Sequence, residues 1–245
     1  MHCVIQNLSK SYSAGFTLGP IDMSIGPGEI VGLLGSNGAG KTSLIRLLLG
    51  VLKPDTGAVH LMGVNVRDQY LARRWIGYLD EEPIHYDWMK IKWLARFYSS
   101  YYPNWDNSQF TNQLEAFSLD QSTKVGHLSK GNKIRLGFAL ALAHSPRLLL
   151  LDEPTSGLDP MARVEILDAM AHYTDTHSEV SVLFSSHITT DLERICNRAV
   201  ILEHGRVISD DQIKTASRRE GTSHLTRTPT LEEELLNALA SAQIQ

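Results

Sequence analysis

The run Gly35-Ser-Asn-Gly-Ala-Gly-Lys41-Thr42 matches the pattern G-x-x-x-x-G-K-[ST]. It lies between an apolar, β-type run (residues 30–34) and a helix-like run (residues 41–49). A chain that passes from a buried strand through a glycine loop into a helix is committed to a sheet covered by helices, an α/β fold. The loop also answers a charge problem. A triphosphate carries several negative charges, so its site must surround it with donors and keep side-chain bulk away. Gly35, Gly38 and Gly40 let successive backbone N–H groups turn inward, and the N-terminus of the next helix adds a positive dipole end. Ser36, Asn37, Ala39 and Ser43 complete the expected cradle. Lys41 is placed to reach the β- and γ-phosphates, and Thr42 offers Mg²⁺ a hard hydroxyl oxygen. A glycine turn that merely joins strand to helix is the competing reading; four specified residues correctly spaced over eight positions, with the correct flanks, disfavour it.

Bulk properties set the class. With 245 residues the chain can bury one sizeable core or two small ones, and 42% hydrophobic with 20% charged residues is ordinary globular composition. A net charge of -4 argues against a broad basic surface, so no nucleic-acid partner is expected. Cys3 and Cys196 are far apart and form no metal-ligand spacing, which reads as two reduced thiols. No secretory pattern opens the chain. The most apolar stretch, residues 136–151, is interrupted by His144, Ser145, Pro146 and Arg147, short of a membrane span. Direct membrane insertion is therefore not expected, and any membrane role must come through a partner.

Along the chain, strand-like runs at residues 2–8, 17–25, 30–34 and 58–62 are punctuated by Gly/Pro turns. Residues 85–124 are aromatic-rich and helical in character, broken at Pro103-Asn104. Helix and strand then alternate, with helices at residues 130–143 and 160–173 and strands at 148–152 and 180–185, which predicts a parallel sheet. The segment 218–227 reads as a polar linker. Residues 231–239 read as a short amphipathic helix with Thr230 as N-cap.

A second constellation follows the loop. Leu148-Leu-Leu-Leu-Asp152-Glu153 is an apolar strand ending in two carboxylates, and ligands of open parallel sheets bind beyond the carboxyl ends of the strands. Asp152 is expected to hold Mg²⁺ through water, and Glu153 to accept a proton from an attacking water. An acidic pair capping a turn before Pro154 is the plain alternative; a phosphate loop upstream disfavours it.

With three further motifs, these residues resemble the nucleotide-binding subunit of ATP-binding-cassette (ABC) transporters. Leu128-Ser-Lys-Gly-Asn132 resembles that family's LSGGQ signature, Ser156-Gly-Leu-Asp159 its D-loop, and Ser185-Ser-His187 its switch histidine. The resemblance covers residues 2–215. It implies a P-loop ATPase fold with an N-terminal antiparallel β subdomain, a parallel-sheet catalytic core and a helical subdomain inserted at about residues 85–145. A cassette over residues 1–217 and a tail over 218–245 follow. It also implies that two cassettes, identical or related, pack head to tail around ATP and Mg²⁺. Ser129 and the Gly131 amide then touch the γ-phosphate bound by the partner, and Asp159 organises the facing site. His187 orients the water activated by Glu153, and Tyr12 stacks on adenine. Ser129 as a plain helix cap, Tyr12 as partial core and His187 as a surface residue stand beside those roles.

The resemblance further implies transmembrane permease partners and a place on the cytoplasmic face of the cell membrane. The aromatic wording after residue 85 is most similar to ATPases of bacterial exporters that move antibiotics, peptides or similar amphiphiles. A soluble ABC ATPase in cofactor assembly is the alternative. A non-enzymatic nucleotide sensor is disfavoured by the presence of Lys41, Thr42, Asp152, Glu153 and His187.

Two departures from the family pattern stand out. Glu81 occupies the position of the Q-loop glutamine, where it can tighten metal binding or swing away from the other carboxylates. Lys130 replaces the signature's first glycine and Asn132 its glutamine, and an active ATPase is still expected. Trp93, Phe97 and Tyr101, at i, i+4 and i+8, predict the core stripe of a helix, while for Tyr86 and Trp88 core packing and partner docking stay open.

Overall fold

The computed structural model describes residues 1–68 and 70–213; the linker and helix expected at 218–245 lie outside them. The chain opens with an antiparallel hairpin of β1 (Cys3–Ser11) and β2 (Thr17–Ile25). It continues through β3 (Ile30–Leu34), α1 (Lys41–Leu48), β4 (Thr56–Leu61), β5 (Val64–Asn65) and β6 (Ile76–Leu79). Three helices follow: α2 (Ile91–Ser99), α3 (Asn107–Ala116) and α4 (Lys130–Leu142). Then come β7 (Leu148–Asp152), α5 (Pro160–Thr176), β8 (Ser181–Ser186), α6 (Thr189–Ile195), β9 (Arg198–Glu203) and β10 (Arg206–Gln212).

Two sheets result. The first has the order β2-β1-β4-β5 and is antiparallel; the second has the order β10-β9-β3-β8-β7-β6, parallel from β9 to β6 with β10 added antiparallel. Every residue of β3 and β7 is buried, as interior strands covered on both faces require. Although Ala199-Val-Ile-Leu202 is an apolar, strand-like run, the sequence expectations stop short of α6, β9 and β10. The last two are joined by His204-Gly205, both in the left-handed region (φ 45° and 80°), as a two-residue hairpin turn requires.

Two apolar clusters flank the larger sheet. One packs α1 and the first sheet against Val31, Leu33, Leu148, Leu150 and Leu183. The other packs α2–α6 against Leu34, Leu149, Leu151, Val182 and Phe184. Alternation of inward side chains along each strand divides one sheet between the two cores. Helix α2 buries Ile91, Leu94 and Ala95, an i, i+3, i+4 face. The expected core stripe of Trp93, Phe97 and Tyr101 is on the opposite side, 51%, 40% and 63% exposed. Helical spacing places residues on one face; it does not say which face turns inward.

Candidate functional site

The phosphate loop is held from both ends. A Cβ on Gly35 would come within 2.3 Å of the Leu202 carbonyl oxygen at the end of β9, so the loop's first turn closes only with glycine there. Gly40 caps α1 in the left-handed region (φ 111°) and contributes no side-chain cap. The first-turn N–H groups of α1 thus have no capping side chain and are free for an anion. The loop and its surroundings enclose an open cavity of about 410 Å³ lined by Tyr12, Phe16, Ser36, Asn37, Gly38, Gly40, Lys41, Thr42, Ser43, Glu81, Glu153, Ser156 and His187.

Lys41 is buried. Its Nζ donates to the carbonyl oxygens of Gly35 (2.7 Å) and Ser36 (3.2 Å) and lies 3.1 Å from Glu153 Oε1. His187 Nδ1 lies 2.8 Å from the other oxygen, Oε2, so that Glu153 is gripped from two sides. Glu153 itself has a φ of 45°, a left-handed conformation costing about 1 kcal/mol or more in a non-glycine residue. Strain of this kind concentrates at functional sites.

Asp152 lies behind Glu153 at the end of β7, 1% exposed. Burial pushes its carboxyl above the usual carboxylate range. Hydrogen bonds from Ser185 and Thr42 pull it back down, while the charges of Asp80 and Glu153 push it up further. Glu81 Oε1 accepts a hydrogen bond from Ser156 Oγ at 3.0 Å, so the Q-loop position is tied to the loop that follows the carboxylates. Behind that loop, Thr155 Oγ1 donates to Asp191 Oδ2 (2.7 Å) and Arg163 Nε to Asp191 Oδ1 (2.5 Å), joining the loop to α5 and α6.

Among the residues singled out from sequence, Tyr12, Ser36, Asn37, Gly38, Gly40, Lys41, Thr42, Ser43, Glu81, Glu153 and His187 converge on the cavity. Tyr12 lies 5.9 Å from the ring of Phe16, and the two form an aromatic wall. Gly35 and Ala39 support the loop from behind. Ser129, Gly131 and Asp159 stand outside the cavity wall. Ser129 caps α4 by accepting from the Asn132 N–H (3.2 Å), and Asp159 caps α5 by accepting from Met161 and Ala162. Phe16 was not expected, though it had a usable signal as a second aromatic beside Tyr12. Ser156 and Ser185 entered only as parts of the D-loop and switch motifs, with no contact assigned to either hydroxyl.

The sequence profile described as "ABC transporter" matches residues 18–156. The chain belongs to the ABC transporter family. It is 34% identical over 227 residues to the ABC transporter ATP-binding protein YxlF of Bacillus subtilis, covering 91% of this chain and 75% of that protein. It is 32% identical over 219 residues to the bacitracin transport ATP-binding protein BcrA of Bacillus licheniformis, covering 87% and 71%. A solved ATP-binding subunit of an ABC transporter superposes with a TM-score of 0.84 at 28% identity, covering 98% of this chain and all of that one. The chain is thus an ABC ATPase domain of the transporter ATP-binding type. Among the described residues, no helix is long and apolar enough to cross a membrane.

Proposed function

We propose that this ABC cassette binds ATP in the cavity of the phosphate loop, hydrolyses it, and works as one of two cassettes that drive a separate membrane permease. The observation that carries this reading is Glu153, whose two oxygens face Lys41 (3.1 Å) and His187 (2.8 Å) at the wall of that cavity.

The loop N–H groups and Lys41 hold the β- and γ-phosphates, and Tyr12 with Phe16 offers adenine an aromatic face. The Thr42 hydroxyl and the Asp152 carboxylate are neighbours, the hydroxyl favouring the charged carboxylate, and Glu81 adds a further oxygen on the cavity wall. This set of hard oxygens suits Mg²⁺, and Thr42, Asp152 and Glu81 would hold it. When bound, the ion neutralises charge developing on the phosphate oxygens. Glu153 takes the proton of the attacking water, and His187 orients both that carboxylate and the terminal phosphate.

Ser129 and Gly131, outside the cavity at the start of α4, are assigned to the nucleotide of a facing cassette, with Asp159 beside that joint. The patch of Tyr86, Trp88, Phe97 and Tyr101, with neighbouring ring centroids 5.1–6.3 Å apart, supports docking of a permease segment on the cytoplasmic side of the membrane. The relative BcrA, a bacitracin transport protein, supports export of an antibiotic, peptide or similar amphiphile. The direct test is ATP hydrolysis by the wild type and by Glu153→Gln. The variant is expected to bind ATP and lose about 100-fold or more in rate; a variant as fast as the wild type contradicts the assignment.

A further inference from the structure

Ser185 is wholly buried on β8, between Phe184 and Ser186, and its register partner across the parallel ladder is Asp152. Its hydroxyl makes two hydrogen bonds. Oγ–H donates to Asp152 Oδ1 at 2.7 Å, and the same oxygen accepts the backbone N–H of Glu153 at 2.9 Å. A buried strand position favours Val or Ile, and a hydroxyl there must be paired. This one is paired on both sides with the two residues that carry the site's buried carboxylates.

We infer that Ser185 is a positioning residue for hydrolysis, acting on Asp152 and Glu153 together. Its donor fixes the Asp152 carboxylate, whose charged form Thr42 at the start of α1 also favours. Its acceptor satisfies the Glu153 N–H in the left-handed turn (φ 45°) from which the Glu153 side chain reaches Lys41 and His187. Without that acceptor the buried N–H is orphaned, the strained turn keeps only the Ser156 N–H bond to the Glu153 carbonyl, and Glu153 loses its aim. A single hydroxyl therefore sets the spacing between the metal-side carboxylate and the proton acceptor. The inference rests on the hydrolytic roles proposed above for those two residues.

The test compares Ser185→Ala, Ser185→Cys and Ser185→Thr. Removing a buried hydrogen bond to a charged group is expected to lower kcat for MgATP by about 10- to 100-fold in the Ala variant. KM for MgATP is expected to rise by no more than about tenfold, in step with a weakened metal affinity, because the phosphate loop itself is untouched. The Thr variant keeps the hydroxyl and is expected to regain most of the rate. A second reading needs no turnover: Mn²⁺ affinity in the presence of a non-hydrolysable ATP analogue. This is expected to weaken about tenfold in the Ala variant while ATP binding in EDTA is unchanged. If the Ala variant does not fold, the near-isosteric Cys variant, with a weak donor, carries the same comparison. Wild-type kcat and Mn²⁺ affinity in the Ala or Cys variant would overturn the inference. A Thr variant that folds and is no better than Ala would do so as well. A wild-type chain without ATPase activity would fault the hydrolytic reading instead, and the Mn²⁺ affinities would still decide the role of Ser185 at Asp152.

Discussion

Lys41 Nζ lies 3.1 Å from Glu153 Oε1, with both side chains more than nine-tenths buried. The loop lysine and the proposed proton acceptor thus hold each other, and in the proposed role of Lys41 a phosphate competes with Glu153 for the ammonium group. Lys41 is part of the internal packing as well as the proposed ligand for phosphate.

Lys41→Met is accordingly expected to weaken ATP binding and also to destabilise the nucleotide-free fold, by about 2–4 kcal/mol, because it strands a buried carboxylate. In Lys41→Met/Glu153→Gln the second change removes that charge, and the double variant is expected to cost at least about 1 kcal/mol less than the sum. Urea denaturation of the four proteins checks this; additive costs would mean that the pair is not coupled.

His144 is 3% exposed, stacked on Tyr102 at 4.0 Å, with Nε2 3.0 Å from the Ile76 carbonyl oxygen. Burial lowers its pKa below the ordinary 6.5, as it does for His2 and His85. Below pH 6.5 the unfolded chain therefore binds more protons than the native one. Stability is complete above that pH and falls as the pH drops towards the native pKa, by at most about 1.4 kcal/mol per pH unit for each such histidine. His144→Gln keeps a donor for Ile76 and cannot titrate. Its melting temperature is expected to fall less between pH 7 and pH 5 than that of the wild type; an equal or steeper fall would rule out His144 as a source.

Much of the site was legible because its chemistry fixes residue type and spacing together. Glycines, Lys41 and Thr42 must be consecutive to cradle a phosphate, and Asp152-Glu153 must end a buried strand. Ser185 was not legible as a contact, since a serine within Ser181–Ser186 reads alike whether its hydroxyl meets a carboxylate or a backbone carbonyl. The six-stranded sheet was legible only in its centre. Helix α6 spans only Thr189–Ile195, too short for a periodic pattern; the apolar run Ala199-Val-Ile-Leu202 does mark β9, but the place of β9 beside β3, and of β10 at the edge, is set by long-range pairing. The aromatic face of α2 was misplaced because Ile91, Leu94 and Ala95 compete for the core and are smaller, fitting closer to it.

Trp88 is 70% exposed and Tyr86 53%. Replacing Trp88 with Ala is expected to change stability by less than about 0.5 kcal/mol, as surface substitutions do. ATPase activity of the isolated cassette is expected to stay at wild-type level, and recovery with native membranes to fall. Unchanged membrane recovery would argue against the patch as the docking face.

Ser129 caps α4 outside the cavity wall. Ser129→Arg is expected to leave ATP affinity of the monomer within about twofold and to cost roughly 1 kcal/mol of stability through the lost cap. ATP-dependent association is expected to disappear. A variant that still associates would remove Ser129 from the facing site.

Completion of each ATP site by a second cassette, as proposed, is tested most directly by the mass of Glu153→Gln in solution. With ATP and Mg²⁺ the variant is expected to double in mass, and without nucleotide to return to the monomer. A monomer under every nucleotide condition would contradict the composite site.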